Sequence, residues 1–129
     1  MKTEGQHRII QLTQALLSKG FCTGHYALRE DGTPCGSHCI HANRWDLAGA
    51  LFLACEHEDS WRRDEMFAHC WRSLMAHNHC VKSPEFVKLL DSKTQAWHVN
   101  MLEQFLNPQA IVSTPRVSNR RQEIIREYA

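Results

Sequence analysis

The sequence predicts a mainly α fold: a small single-domain bundle of four to six helices, with a short hairpin or loop insert after the first helix. Apolar residues recur at helical spacing through most of the chain. A length of 129 residues suits one hydrophobic core better than two. Glycine and proline are frequent between residues 22 and 42, where the helical period disappears. We therefore predict one α-rich domain over residues 1–129, with a Cys/His-rich loop or hairpin at 22–42.

The first helix is predicted over residues 5–19, where apolar side chains follow the helical period. Gly20 is expected to end it in the left-handed conformation that glycine adopts easily. Residues 26–29 precede the turn signal Asp31-Gly32, which predicts a short strand forming half of a hairpin.

A central helix is predicted over residues 44–57, because this segment is apolar on nearly every side. Asn43 is the expected N-cap. Gly49 costs such a helix about 1 kcal/mol relative to alanine. We attribute its presence to the close approach of a neighbouring element.

Further helices are predicted in the second half of the chain. One follows Ser60 over residues 61–77, with an apolar stripe at Met66, Phe67, Cys70, Trp71, Leu74 and Met75. Ser83, as N-cap before Pro84, indicates another start. Residues 84–106 form one helix or two, the second beginning at a capping box of Ser92 and Gln95. A connector and C-terminal helix are expected over 108–129.

Composition and charge exclude several classes of protein. Apolar residues make up 43% of the chain and charged residues 22%, unlike a disordered protein. The formal charge of +1 gives no support for nucleic-acid binding. The longest apolar run, residues 47–55, is too short to span a bilayer, and no signal peptide is recognisable. We therefore expect a cytoplasmic protein that does not enter membranes.

The Cys/His-rich loop contains two pairs with the spacing of zinc ligands, Cys22-x2-His25 and Cys35-x2-His38. Structural zinc takes four nitrogen or sulfur ligands, usually from two such pairs, and binding would order a loop with few apolar residues. Cys39 and His41 are alternative ligands. The competing interpretation is that the cysteines pack as small apolar residues and the histidines face solvent.

Other cysteines and histidines are open to simpler interpretations. Cys39 precedes the predicted central helix and has His38 and His41 nearby as possible bases, so a nucleophilic role is an alternative. No recognised catalytic signature surrounds it, and we name no catalytic residue and no firm cofactor. A second cluster contains Cys70 and Cys80 with His69, His77 and His79. There we expect Cys70 in the core and the histidines on the surface.

A further set of residues resembles a family pattern. It comprises Gly20-Phe21, Tyr26-Ala27, Asp31-Gly32, Ala42, Arg44-Trp45, Leu47 and Gly49-Ala50-Leu51. The pattern resembles an uncharacterised family of small bacterial and phage proteins, catalogued as a domain of unknown function, over roughly residues 8–55. The resemblance implies a small α-rich domain of phage or mobile-element origin and implies no activity. The Cys/His residues of the hairpin depart from it.

These observations favour a small non-enzymatic intracellular interaction protein whose partner is a host or cellular protein. With the phage origin that the resemblance implies, the expected action is to modulate or inhibit a host complex, such as a defence system. One alternative is a zinc-stabilised adaptor that uses the 22–41 loop. Another is a small Cys/His-dependent enzyme.

Overall fold

The mainly α prediction is confirmed. A computed structural model describes residues 4–57 and 60–108, with all their side chains except those at 57, 60 and 61. These residues form five α-helices, a 3₁₀ turn (Cys55–His57) and three short strands: α1 (Glu4–Lys19), β1 (Ala27–Arg29), β2 (Pro34–Cys35), β3 (Ala42–Trp45), α2 (Leu47–Ala54), α3 (Ser60–His77), α4 (Ser83–Asp91) and α5 (Gln95–Leu106). The predicted C-terminal helix, with its connector beyond residue 108, lies outside the described residues.

The core forms where α1 packs against α2 and α5. Each of these helices contributes its apolar side to the core. The helices α3 and α4 add the buried side chains of Cys70, Leu74, Phe86 and Leu90. The principal buried side chains of the three central helices are Ile9, Ile10, Leu17, Leu47, Leu51, Met101, Leu102 and Phe105. No helix in the described part of the chain is long and apolar enough to cross a membrane.

The first helix ends at Lys19 as predicted, but the predicted reason is wrong. Among the described glycines, only Gly24 and Gly32 have positive φ angles, so Gly20 is not left-handed. Gly20 is needed because a Cβ there would overlap the backbone carbonyl of Asn43. The close approach allows the backbone N–H of Trp45 to donate to the Gly20 carbonyl at 3.2 Å.

The hairpin is confirmed, and a third strand joins it. β1 pairs with β2 across the turn that contains Gly32 at φ +89°, and it pairs with β3 on its other edge. Both pairings are antiparallel, giving the order β2-β1-β3. The predicted helix start at residue 44 is therefore wrong, because Asn43 lies in β3. The N-cap of α2 is Asp46, whose Oδ1 accepts the Gly49 N–H at 2.7 Å.

The interpretation of Gly49 as a point of close approach is confirmed. A Cβ at this position would overlap the carbonyl group of Tyr26. The same carbonyl accepts the backbone N–H of Asp46 at 3.3 Å. Gly49 therefore allows the loop before β1 to lie directly on α2.

Residues 84–106 form two helices, α4 and α5. Thr94 caps α5 by accepting the Trp97 N–H at 3.2 Å, so the predicted Ser92/Gln95 capping box is wrong. Ser92 instead donates to the Leu89 carbonyl, and the Gln95 side chain donates to the Leu17 carbonyl at 2.7 Å. Lys82, not Ser83, is the N-cap residue of α4. The break turns α5 back along α1.

Candidate functional site

The predicted zinc ligands have other neighbours in this structure. The Cys22 thiol is buried and donates to the His25 carbonyl oxygen at 3.4 Å, while the His25 residue is exposed. Burial raises the pKa of the Cys22 thiol to about 11, so it stays protonated. His38 Nε2 lies 3.5 Å from Glu56 Oε1. Within residues 4–57 and 60–108, no three His, Cys, Asp or Glu side chains are grouped to hold a metal ion. Zinc binding stays a prediction.

The thiols of Cys35 and Cys39 do come together. Desolvation, followed by the hydrogen bond that the two thiols share, raises the pKa of Cys35. The pKa of Cys39 is lowered, first by the backbone N–H of His41, then by the Cys35 thiol and the Arg29 guanidinium. These contacts make the Cys39 thiol more acidic than a free cysteine.

The second Cys/His cluster divides largely as the sequence predicts. Cys70 is fully buried in the core, and His69 and His79 are exposed. His77 is half-buried, with its ring edge-on to Phe105 at a centroid distance of 5.4 Å. These positions explain the cysteine and the histidines by packing and solvation.

A cavity of about 640 Å³ lies between the hairpin and the helices α2, α3, α4 and α5. The loop before β1 forms one rim, and α4 forms the other with Val87 and Asp91. The residues that line it include His25, Tyr26, Cys35, Asp46, Ala48, Phe52, Phe67, Trp71, Val87, Asp91 and His98. No lysine or arginine of the described chain lines the cavity.

One wall of the cavity is aromatic. Phe52 of α2 stacks on Phe67 of α3 with centroids 3.9 Å apart and planes 7° apart. Trp71, one helical turn after Phe67, continues the stack at 5.8 Å, and its indole N–H donates to Ser83 Oγ. Tyr26 meets Phe52 edge-on at 5.7 Å. Tyr26 and Val87 line the cavity and are 56% and 42% exposed, so apolar surface at the cavity remains open to solvent.

Two carboxyl groups line another part of the cavity. The pKa of Asp46 is raised to about 6, chiefly by burial and also by the nearby Asp91 carboxylate, while the Gly49 N–H and His25 act in the opposite direction. Asp91 is the last residue of α4, where the negative end of the helix dipole disfavours an acidic side chain. This end of the cavity therefore has a negative potential.

His98 adds a buried acceptor to the lining. The residue is 1% exposed, and its Nε2 lies 3.0 Å from the Leu90 carbonyl oxygen. Since a carbonyl only accepts, Nε2 carries the proton. Burial lowers the pKa of His98, which favours a neutral ring with a lone pair on Nδ1. Among the described residues, Nδ1 has no hydrogen-bond partner.

Comparisons of the chain with protein-family models, curated proteins and solved structures find no match. The resemblance to a bacterial and phage family stays a prediction. The cavity is therefore interpreted from its own residues.

Two of the predicted zinc ligands, His25 and Cys35, line the cavity, but the sequence prediction gives no site role to its other residues. Periodicity places Phe67 and Trp71 in a core stripe, whereas both are half-buried at the cavity wall. Asp46 falls inside the predicted central helix, and no pattern distinguishes His98. An acid beside Trp45 and a histidine within an apolar helix are weak signals, because each also occurs in ordinary surfaces and cores.

Proposed function

We propose that this chain is a small non-enzymatic interaction protein that binds a protein partner by taking side chains of that partner into the cavity. The observation that carries the proposal is the cavity itself. Its volume of about 640 Å³ lies within the range of ligand sites, and its aromatic wall is open to solvent at Tyr26. Pockets of this kind hold the anchor residues that dominate protein interfaces.

The chemistry of the lining supports binding over catalysis. Asp46 uses an oxygen to cap α2, and His98 uses Nε2 to bond Leu90. Cys35 is the cysteine in the lining, and its raised pKa opposes formation of the thiolate that would attack a substrate. An activated nucleophile with an adjacent base is the arrangement that covalent catalysis needs.

The cellular setting is part of the same proposal. The resemblance over residues 8–55 supports a phage-encoded protein, and its action is then to modulate or inhibit a host complex in the cytoplasm. A partner of this kind would present an anchor segment to the cavity. The sequence motif that carries this resemblance includes Gly49 and Tyr26, which shape one rim.

A variant that fills the cavity tests the proposal. Ala48→Phe places a ring in the lining, whereas Ala96→Phe adds the same ring to an exposed position of α5 outside it. The neutral fluorophore N-phenyl-1-naphthylamine reports an apolar site. We expect it to bind the native chain and Ala96→Phe, with at least tenfold weaker binding to Ala48→Phe.

The same pair of variants tests the partner. A protein recovered from host lysate by the native chain and by Ala96→Phe should be lost with Ala48→Phe. Two results together would contradict the proposal. They are equal recovery of the partner protein by both variants and fluorophore binding to Ala48→Phe that is as tight as binding to the native chain. Circular dichroism of both variants checks that the helices are retained.

A further inference from the structure

We propose that the cavity is a cation site, which takes the ammonium or guanidinium head of a lysine or arginine side chain of the protein partner between the Asp46 and Asp91 carboxylates and the aromatic wall. This inference rests on the proposed function, because it names the chemistry of the group that enters the cavity. Three features of the lining support it: its hydrogen-bonding character, its apolar aromatic wall and the placement of its acids.

Three of the polar side chains in the lining are acceptors. Ionised Asp46 and Asp91 offer only acceptor oxygens, and neutral His98 offers the unpartnered acceptor Nδ1. A buried acceptor without a donor is unfavourable, so a ligand with several N–H groups complements this lining better than one with carbonyl or carboxylate groups. Ammonium and guanidinium groups have three and five donors and no acceptor.

The aromatic wall suits the stem of such a ligand. Lysine and arginine side chains pack their aliphatic stems on apolar surface while the charged head stays in polar surroundings. Phe52, Phe67 and Trp71 lie in one stack along the cavity, with the planes of Phe67 and Trp71 only 14° apart. Their shared wall can hold the aliphatic stem of a basic side chain while the head reaches the acids.

The placement of Asp46 is costly without a ligand. Asparagine would cap α2 about as well, yet this position has a carboxylate that burial and Asp91 both disfavour. The titratable groups facing it are Asp91 from α4, the exposed His25 from the loop, and Cys22 beside the hairpin. Of these, only His25 is a basic group, and it lies at an exposed position.

The size of the cavity defines the rest of the ligand. A volume of about 640 Å³ exceeds one basic side chain, so a neighbouring apolar residue of the partner enters as well. We therefore choose acetyl-Phe-Lys-amide and acetyl-Phe-Arg-amide as probes. Acetyl-Phe-norleucine-amide is the matched neutral probe, since it has a similar stem without the charge.

The experiment measures displacement of N-phenyl-1-naphthylamine by each peptide at pH 7.5. We expect the Lys and Arg peptides to bind at least tenfold tighter than the norleucine peptide. Asp46→Asn and Asp91→Asn should each reduce this preference at least threefold, whereas Asp64→Asn, on the exposed side of α3, should keep it. At pH 5, protonation of Asp46 should shrink the preference in the native chain but not in Asp46→Asn.

Equal affinity for the charged and neutral peptides would overturn the cation site, and so would a preference that survives both substitutions. Phenethylamine binding tighter than either peptide would assign the cation to a free amine and overturn the side-chain assignment. Fluorophore binding without displacement by any peptide up to about 20 mM would overturn the inference but leave the proposed function standing. Failure of the fluorophore to bind would count against the proposed function itself.

Discussion

Replacing Gly49 with alanine should destabilise the fold, although alanine is the better helix former. Gly49 lies in α2, and a Cβ on its backbone would overlap the oxygen, carbon and Cα atoms of Tyr26. These are backbone atoms, so no side-chain rotation can make room. The loop before β1 must move away from α2, and the hydrogen bond from the Asp46 N–H to the Tyr26 carbonyl weakens with it.

Three contributions set the change in the free energy of unfolding: two are destabilising and one is stabilising. Overpacking a rigid site costs typically 1–3 kcal/mol, and a backbone overlap belongs at the upper end. Loss of the hydrogen bond adds about 1 kcal/mol. The helix propensity of alanine returns about 1 kcal/mol. We therefore expect the free energy of unfolding of Gly49→Ala to fall by about 2–3 kcal/mol.

Urea denaturation followed by circular dichroism measures this change. Gly5→Ala is the matched control, because Gly5 also lies in a helix but a Cβ added to it would meet only the flexible end of Met66, at 3.9 Å. That variant should be stabilised by up to about 1 kcal/mol. Equal effects of the two substitutions would refute the close-approach explanation. The fluorophore should also bind Gly49→Ala more weakly, because Tyr26 lines the cavity.

The remaining predictions concern titration and metal. Asp46→Asn should raise the free energy of unfolding at pH 7.5 by about 2 kcal/mol and change it little at pH 3.5. The folded-state pKa of Asp46, about 6, lies above its unfolded value, so the native chain loses stability as the pH rises between these two values. If urea denaturation gave the same difference in unfolding free energy between variant and native chain at both pH values, this sign would be contradicted. Iodoacetamide at pH 7.5 should label Cys39 faster than Cys35, as read by mass spectrometry of peptides, because their pKa values are shifted in opposite directions; faster labelling of Cys35 would be inconsistent with the thiol hydrogen bond. If the Cys22–His41 stretch binds zinc, elemental analysis should give about one zinc per chain, and a chelator should lower the melting temperature. Less than about 0.2 zinc per chain, with a melting temperature that the chelator does not change, would contradict zinc binding.

Helices were predictable because their signal is local. The apolar period of α1 gives both of its ends, and Ser83-Pro84 gives the start of α4, to within one residue of the observed positions. The start of α2 was not predictable in this way. Arg44 and Trp45 fall in the predicted helix, but pairing with β1 and the bond between Trp45 and Gly20 hold them in a strand. Long-range contacts decided between two locally acceptable structures.

The candidate site was less predictable for the same reason. Asp46 and His98 lie about fifty residues apart, and no local pattern shows that both line one cavity. Periodicity placed Phe67 and Trp71 on the inner side of α3 without showing that this side faces a cavity. The Cys-x2-His spacing predicted ligand pairs, but spacing does not fix the direction of a thiol. Cys22 turns into the protein because its segment bonds to β3 through the Trp45 carbonyl.

The most direct test of the account is the relative affinity of the native chain for acetyl-Phe-Lys-amide and acetyl-Phe-norleucine-amide at pH 7.5, repeated with Asp46→Asn. The account predicts at least a tenfold preference for the lysine peptide in the native chain and at least a threefold reduction of that preference in the variant. Equal binding of the two peptides by the native chain, with the fluorophore still bound and displaced, would contradict it.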